Sequence, residues 1–365
     1  MKNKKDKIFI ATGGTGGHIF PSLSLAAFLK TKYEVDIITD KRGKKFIKNE
    51  NEINIIIINS DTIYKKNILI ILQSFLKIFL SFFFSVFLLI KKKPKIIIGM
   101  GGYSSFPLCV AGYCLRIPII LYESNQIVGR VNKFLSPFVK KILVSSSNIQ
   151  GIGHKYKKKI SFVGYLIRSN ILELKKNEDK KFDKNSLSVL IMGGSQSAKV
   201  FGEVLPNIIV KCFENEIGFK VYQQCLDNQA DKISKIYKKF KFEYELFSFS
   251  GDMSKYYKKV DLAITRSGAS SLAELTNIGI PFIAIPLPSS ADNHQFYNAK
   301  YFQEKGYCYL LEERFINEKL FEILLDLKQN RKKLLLIKEK MINHSDKDAF
   351  KRFEQLILEI INGKN

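Results

Sequence analysis

Ile8-Phe9-Ile10-Ala11-Thr12-Gly13-Gly14-Thr15-Gly16-Gly17-His18 runs an apolar strand into four glycines and a histidine. The apolar residues that follow open a helix. Glycines at such a turn let the backbone approach a phosphate or a sugar, and the amide end of the helix favours negative charge. His18, one of four histidines, stands at the mouth of this anion-binding turn, where proton transfer is its natural chemistry. The order G-G-T-G-G-H does not match the G-x-G-x-x-G of dinucleotide-binding folds, and no lysine follows the last glycine as a Walker loop requires.

The chain has 365 residues, enough for two domains, and its 46% hydrophobic and 25% charged residues describe folded protein. Its net charge is +25, unevenly placed: residues 1–163 hold 27 Lys and Arg against 8 Asp and Glu, a local balance of +19. Such asymmetry points to an anionic partner, whether nucleic acid, acidic lipid or a phosphorylated substrate, although lysine is abundant throughout the chain. Cys109, Cys114, Cys212, Cys225 and Cys308 show no C-x-x-C or ligand spacing, which suits free, mostly buried thiols in a reducing compartment. The apolar run before the glycines is too short for a signal-peptide core, so a cytoplasmic protein is expected.

Ile68 to Ile90 is apolar enough to raise the question of a membrane span, with Lys65 and Lys66 before it and Lys91 to Lys93 after it. Polar residues recur at Gln73, Lys77, Ser81 and Ser85, a four-residue spacing that lays them along one stripe and leaves a broad Phe/Leu/Ile surface opposite. A span would place Lys77 in hydrocarbon at a cost of about 2.5–3.5 kcal/mol and would cut a βαβ unit in two. An interfacial or partly buried amphipathic helix is the expectation.

Strands are expected near 7–11, 34–39, 53–58, 95–98, 118–122, 141–145 and 160–163, alternating with helices as in a parallel sheet covered on both faces. The polar stretch from Glu173 to Ser186 reads as a surface loop near the start of a second unit. There Ser188 to Met192 enters Gly193-Gly194-Ser195-Gln196-Ser197, with further strands near 218–224, 244–249, 260–264, 281–285 and 307–310, then helices from about 317 to 362. Two glycine turns after two strands predict a doubly wound α/β chain with two Rossmann-like domains facing a shared cleft. The expected boundaries are 1–163, 164–340, and a C-terminal helix within 341–365 that packs back on the first domain.

Three more motifs fall where strands end, the ligand-binding edge of open α/β sheets. They are Gly99-Met100-Gly101-Gly102-Tyr103-Ser104-Ser105, Tyr122-Glu123-Ser124-Asn125, and Thr265-Arg266-Ser267-Gly268-Ala269-Ser270-Ser271-Leu272-Ala273-Glu274. The last supplies hydroxyls and amides for a diphosphate, and Glu274, one turn into its helix, suits two ribose hydroxyls. Asp292-Asn293-His294-Gln295 offers side chains for sugar hydroxyls, with His294 read as a loop residue rather than a base.

Taken in order, GGTGGH, GMGGYSSFP, GGSQSA, RSGASSLAE and DNHQFYNA, spread over residues 7 to about 300, resemble the MurG family. These are the UDP-N-acetylglucosamine:undecaprenyl-pyrophosphoryl-MurNAc-pentapeptide GlcNAc transferases of peptidoglycan synthesis, inverting enzymes of the GT-B fold. The resemblance implies catalytic roles for His18, as base, and Glu123. It places Thr15, Gly16 and Gly17 at the donor side, and Tyr103, Glu123, Asn125 and Asn132 at the acceptor half, with Asn125 also reaching the donor sugar. In the C-terminal half it assigns Arg168, Ser195, Ala269, Ser270, Ser271, Leu272, Ala273, Glu274 and Gln295 to UDP-GlcNAc. It further implies no metal site and no required cofactor, a divalent cation acting at most as a stimulant. The partners it implies are UDP-GlcNAc, lipid I, an anionic membrane surface and other cell-wall synthesis proteins, not nucleic acid, and the place is the cytoplasmic face of the plasma (inner) membrane, peripherally bound.

This chain departs from the family pattern in three places. Tyr122 and Ser124 stand in a His-Glu-Gln-Asn motif, Tyr165-Leu166-Ile167 precede Arg168 where Asn-Pro-Val is usual, and Gly202 replaces an asparagine. The expected reaction is displacement at the anomeric carbon of GlcNAc by the C4 hydroxyl of MurNAc. A transferase acting on another lipid such as diacylglycerol, a UDP-GlcNAc epimerase, and a basic nucleotide- or nucleic-acid-binding protein are the alternatives. Acceptor assays separate the enzymes, and a gel shift at physiological salt separates the last.

Overall fold

Unbroken apolar runs such as Ile96-Ile97-Ile98 become strands buried on both faces, because helices cover a parallel sheet on each side. In a computed structural model the described residues are 5–14, 16–47, 53–60, 68–174, 186–215, 218–240, 242–248, 250 and 252–363, with the backbone alone for 68–71 and 195–198. Strands β1 (Lys7–Ala11), β2 (Glu34–Thr39), β3 (Asn54–Ile57), β4 (Ile96–Gly99), β5 (Ile119–Glu123), β6 (Lys141–Val144) and β7 (Ile160–Phe162) form one sheet, ordered β3-β2-β1-β4-β5-β6-β7. All its pairs are parallel, with Ala11 beside Gly99. Strands β8 (Ser186–Met192), β9 (Gly218–Gln224), β10 (Glu243–Phe247), β11 (Leu262–Arg266), β12 (Phe282–Ile285) and β13 (Cys308–Leu310) form the second, ordered β10-β9-β8-β11-β12-β13 and also parallel.

Strand order reverses between β1 and β4 in the first sheet and between β8 and β11 in the second. Side loops diverge at such a point, leaving a crevice at the carboxyl ends of the strands. Four of the glycine- or serine-bearing corners read from the sequence sit at these two reversals, while the motifs at 122–125 and 292–295 lie at the end of β5 and after β12. The chain divides into two units, Met1–Arg168 with Asp346–Asn365, and Ser169–Ser345. The first crossing therefore falls after Arg168, not after residue 163, and the second after Ser345. Within the first unit, the helix Ala349–Ile361 lays Phe350 on Phe28 (ring centroids 5.3 Å apart), and Glu354 receives a hydrogen bond from Lys32 Nζ at 2.9 Å.

The first core gathers Phe9, Ile97, Leu108, Leu121 and Ile142 with Leu88 and Leu89; the second gathers Val189, Ile191, Phe201, Leu205, Ile264, Leu320 and Leu324. Four of the five cysteines are buried and Cys114 is exposed; burial pushes the Cys109 and Cys212 thiols up to about 12.

The helix Ile68–Lys92 turns its amphipathicity inside out. Ser81 and Ser85 face the protein, as does Ser74: Ser81 Oγ donates to the Asn59 carbonyl (2.9 Å) and Ser85 Oγ to that of Ser81 (2.6 Å). Leu72, Phe75, Phe79, Phe83 and Phe87 are each more than half exposed. The expected stripe of Gln73, Lys77, Ser81 and Ser85 is thus split, because Gln73 and Lys77 are exposed beside the apolar face while the two serines seal the inner one. This is the one helix among the described residues long and apolar enough to cross a membrane; Lys65 and Lys66 lie outside the described residues.

Candidate active site

In the first unit the β1 and β4 turns touch. A Cβ on Gly102, whose φ is +81°, would lie 2.6 Å from the Gly13 carbonyl oxygen, so only glycine allows the two loops to meet. Ser104 Oγ donates to the Thr12 carbonyl (3.1 Å) and locks the pair. Gly101 (φ +88°) makes the floor: a Cβ there would meet His18 Cε1 at 3.0 Å and Asn132 Nδ2 at 3.7 Å. His18, in the first turn of the helix Gly16–Leu29, and Asn132, in the helix Arg130–Leu135, therefore border one glycine. Thr15 lies outside the described residues.

Glu123, the last residue of β5, is 2% exposed. Its oxygens accept from the Asn125 backbone N–H (3.0 Å), Asn125 Nδ2 (2.9 Å), the Gly129 N–H (2.8 Å) and Asn132 Nδ2 (3.0 Å). A carboxylate with four donors orients others. Asn132 Nδ2 also donates to the Tyr122 carbonyl (3.0 Å), so both amide protons face acceptors and Oδ1, buried, accepts none. Tyr103, half-buried, follows Gly102, and its carbonyl accepts from Ser60 Oγ at 3.2 Å.

Arg168 belongs to this unit and not, as expected, to the C-terminal half; its guanidinium lies 5.3 Å from the Phe20 ring centre. Phe20 in turn packs against Gly16, where an added Cβ would sit 2.9 Å from Cε2. Of the departures, Tyr122 is buried and hydrogen-bonded through its hydroxyl, and Gly202 leaves room for Gln229, whose Nε2 donates to the Lys199 carbonyl (2.9 Å).

In the second unit the helix Ala269–Ile278 starts at the end of β11 with no acidic residue in its first turn and no side-chain cap from Gly268. That end presents amides to an anion. Gln295 Oε1 accepts from the Ser267 N–H (3.1 Å) and the Leu287 N–H (3.0 Å), stapling two loops, and Asn298 Nδ2 donates to the Ser267 carbonyl (3.1 Å). Ser267 Oγ is buried without a partner. Glu274 is buried and accepts from the Tyr257 hydroxyl (2.9 Å).

Leu272 and Ala273, expected to touch the donor, are core side chains, and the Leu272 N–H already donates to the Gly268 carbonyl (3.1 Å). Ser195 lies at the start of the helix Gly194–Glu214, its side chain outside the described residues. His294 holds its own loop, with Nδ1 2.7 Å from the Ala291 carbonyl oxygen.

The sequence reading gave no role to Arg266, which ends β11 4% exposed. Its guanidinium lies 4.7 Å from the Phe201 ring centre, donates to the Pro286 carbonyl (3.2 Å) and pairs with Glu313. Burial lowers its pKa and Glu313 opposes that shift. The one available signal is a charge closing the buried strand Leu262-Ala263-Ile264-Thr265.

Residues 8–144 match the glycosyltransferase family 28 N-terminal domain and residues 188–355 its C-terminal domain. The chain is 37% identical over 357 residues to the UDP-N-acetylglucosamine--N-acetylmuramyl-(pentapeptide) pyrophosphoryl-undecaprenol N-acetylglucosamine transferase of Pelagibacter ubique, covering 98% of this chain and 99% of the relative. It is 38% identical over 360 residues to the enzyme of that name from Rickettsia canadensis, covering 97% and 99%. Among solved structures it resembles MurG of Acinetobacter baumannii (TM-score 0.79, 25% identity, 97% and 99% covered). A putative UDP-N-acetylglucosamine 2-epimerase from Listeria monocytogenes, at TM-score 0.69 and 13% identity over 97% and 96%, shares the fold alone. Two parallel-sheet domains with these matches make the chain a GT-B glycosyltransferase of family 28, and within it the chain belongs to the MurG family.

Proposed function

We propose that the chain transfers GlcNAc from UDP-GlcNAc to the C4 hydroxyl of MurNAc in lipid I, with inversion, to give lipid II. The observation that carries this reading is near-full-length identity to enzymes named for that transfer, joined to a histidine held beside a glycine floor at the β1/β4 reversal. His18 takes the C4 proton as the new C–O bond forms at the anomeric carbon and the bond to the diphosphate breaks, releasing UDP. Asn132 Oδ1 and Tyr103 hold the acceptor sugar, while Glu123 fixes Asn132 and Asn125, the latter turned to the donor sugar.

The amides of Ala269 to Ser271, with those of Gly16 and Gly17, meet the diphosphate charge, helped by Thr15, Ser195 and Arg168. Glu274 takes the ribose hydroxyls and Gln295 the sugar. This division needs no divalent cation, so turnover in excess EDTA should match turnover without it.

The exposed Phe/Leu face of the helix Ile68–Lys92, ending at Lys91 and Lys92 in the basic part of the chain, supports peripheral docking on an anionic bilayer at the cytoplasmic face of the plasma membrane. Other cell-wall synthesis proteins would meet the enzyme on that surface, and nucleic acid has no place in this reading. Membrane-reconstituted lipid I incubated with labelled UDP-GlcNAc tests the reaction: label should enter the lipid fraction, with UDP-glucose a poor donor. Conversion of UDP-GlcNAc without lipid, and no labelled lipid, would overturn it.

A further inference from the structure

We infer that Tyr122, the residue standing where the family carries histidine, is a positioning residue that sets the place of Arg168. Its ring is fully enclosed in the first unit and its hydroxyl donates to the Gly164 carbonyl (3.1 Å) while accepting from the Leu166 N–H (3.2 Å). Between these two, the Tyr165 N–H donates to Asp346 Oδ1 (3.0 Å), and Gln126 Nε2 donates to the Tyr165 hydroxyl (3.0 Å). Residues 164–166 are thus held from β5, from the 126 loop and from the C-terminal segment.

Two residues on, Arg168 lies over Phe20, and Phe20 packs on Gly16 in the phosphate-facing turn. One phenol hydroxyl therefore joins the strand end that carries Glu123 to the arginine beside the glycine loop. Histidine at 122 has a shorter ring and could not fill the same two bonds in the same place, which pairs this departure with Tyr165-Leu166-Ile167, where the family has Asn-Pro-Val. A proline at 166 would lack the N–H that Tyr122 accepts.

The inference rests on the proposed contact of Arg168 with the donor, and its test keeps the two apart. Donor and lipid I kinetics, UDP-GlcNAc affinity and thermal unfolding are measured for the full chain, for Tyr122→Phe, for Arg168→Ala and for the double variant. Tyr122→Phe keeps the ring and should raise the donor KM about five- to tenfold with kcat and the lipid KM within about twofold, and should add almost nothing in the Arg168→Ala background. Should Tyr122→Phe not fold, Asp346→Ala, which frees the Tyr165 amide, should give the same KM shift and the same lack of additivity. Independent, multiplying effects, or a fall in kcat with the donor KM unmoved, would overturn the inference alone. An Arg168→Ala enzyme with unchanged donor KM would remove the proposed Arg168 contact and this inference with it.

Discussion

The family resemblance implies catalytic roles for both His18 and Glu123, yet they occupy different physical situations. His18 is half-buried beside the Gly101 floor; Glu123 is enclosed by four donors. His18→Ala should therefore lower kcat by about 10²–10⁴ while leaving the donor KM and the unfolding temperature near those of the parent, as steady-state kinetics and calorimetry will show. Glu123→Gln turns an amide NH₂ toward groups that donate. We expect it to cost about 3 kcal/mol of stability as well as activity, because at least one charge-assisted bond is lost and a donor is left facing donors. Parallel denaturation and turnover measurements check the contrast, and an E123Q enzyme of full stability and no turnover would restore Glu123 to the chemistry.

The helix Ile68–Lys92 shows what an element's surroundings do to its pattern. Periodicity puts Ser81 and Ser85 on one stripe with Gln73 and Lys77, yet the two serines are buried and return their hydroxyls to the Asn59 and Ser81 carbonyls, where their small size allows close packing. The large rings are left outward. Phe79→Asp with Phe83→Asp should weaken binding to anionic vesicles by about tenfold or more per ring, since each buried ring is worth about 1.5–3 kcal/mol, with no change in unfolding temperature. Ser85→Leu should do the reverse, overpacking the inner face at about 1–3 kcal/mol while vesicle cosedimentation stays as before.

The chain builds its first unit from both ends. Phe353, fully buried in the last helix, sits with its ring centre 5.9 Å from that of Tyr122. Phe353→Ala should cost the first unit about 3–5 kcal/mol by leaving a cavity. Hydrogen exchange should show faster opening of amides in β1 and β5 with those of β8 and β11 unmoved; equal acceleration in both units would deny them separate cores.

Much of this architecture is legible in one dimension. Parallel strands buried on both faces are near-continuous apolar runs, the partly exposed β9 and β10 alternate instead, and the turns that leave Ile96–Gly99 and Ser186–Met192 carry glycine at Gly99 and Gly193; these properties are local, so β1 to β13 and the four corners at the two reversals could be read directly. Side-chain duty is not local. Whether Glu123 reacts or orients, whether Leu272 meets ligand or core, which unit owns Arg168, and which way Ser81 and Ser85 turn all depend on atoms from residues as distant as Asp346. Burial and hydrogen-bond partners, set when the elements pack, assign those roles, and a residue's type and spacing carry no record of the neighbour that will satisfy it.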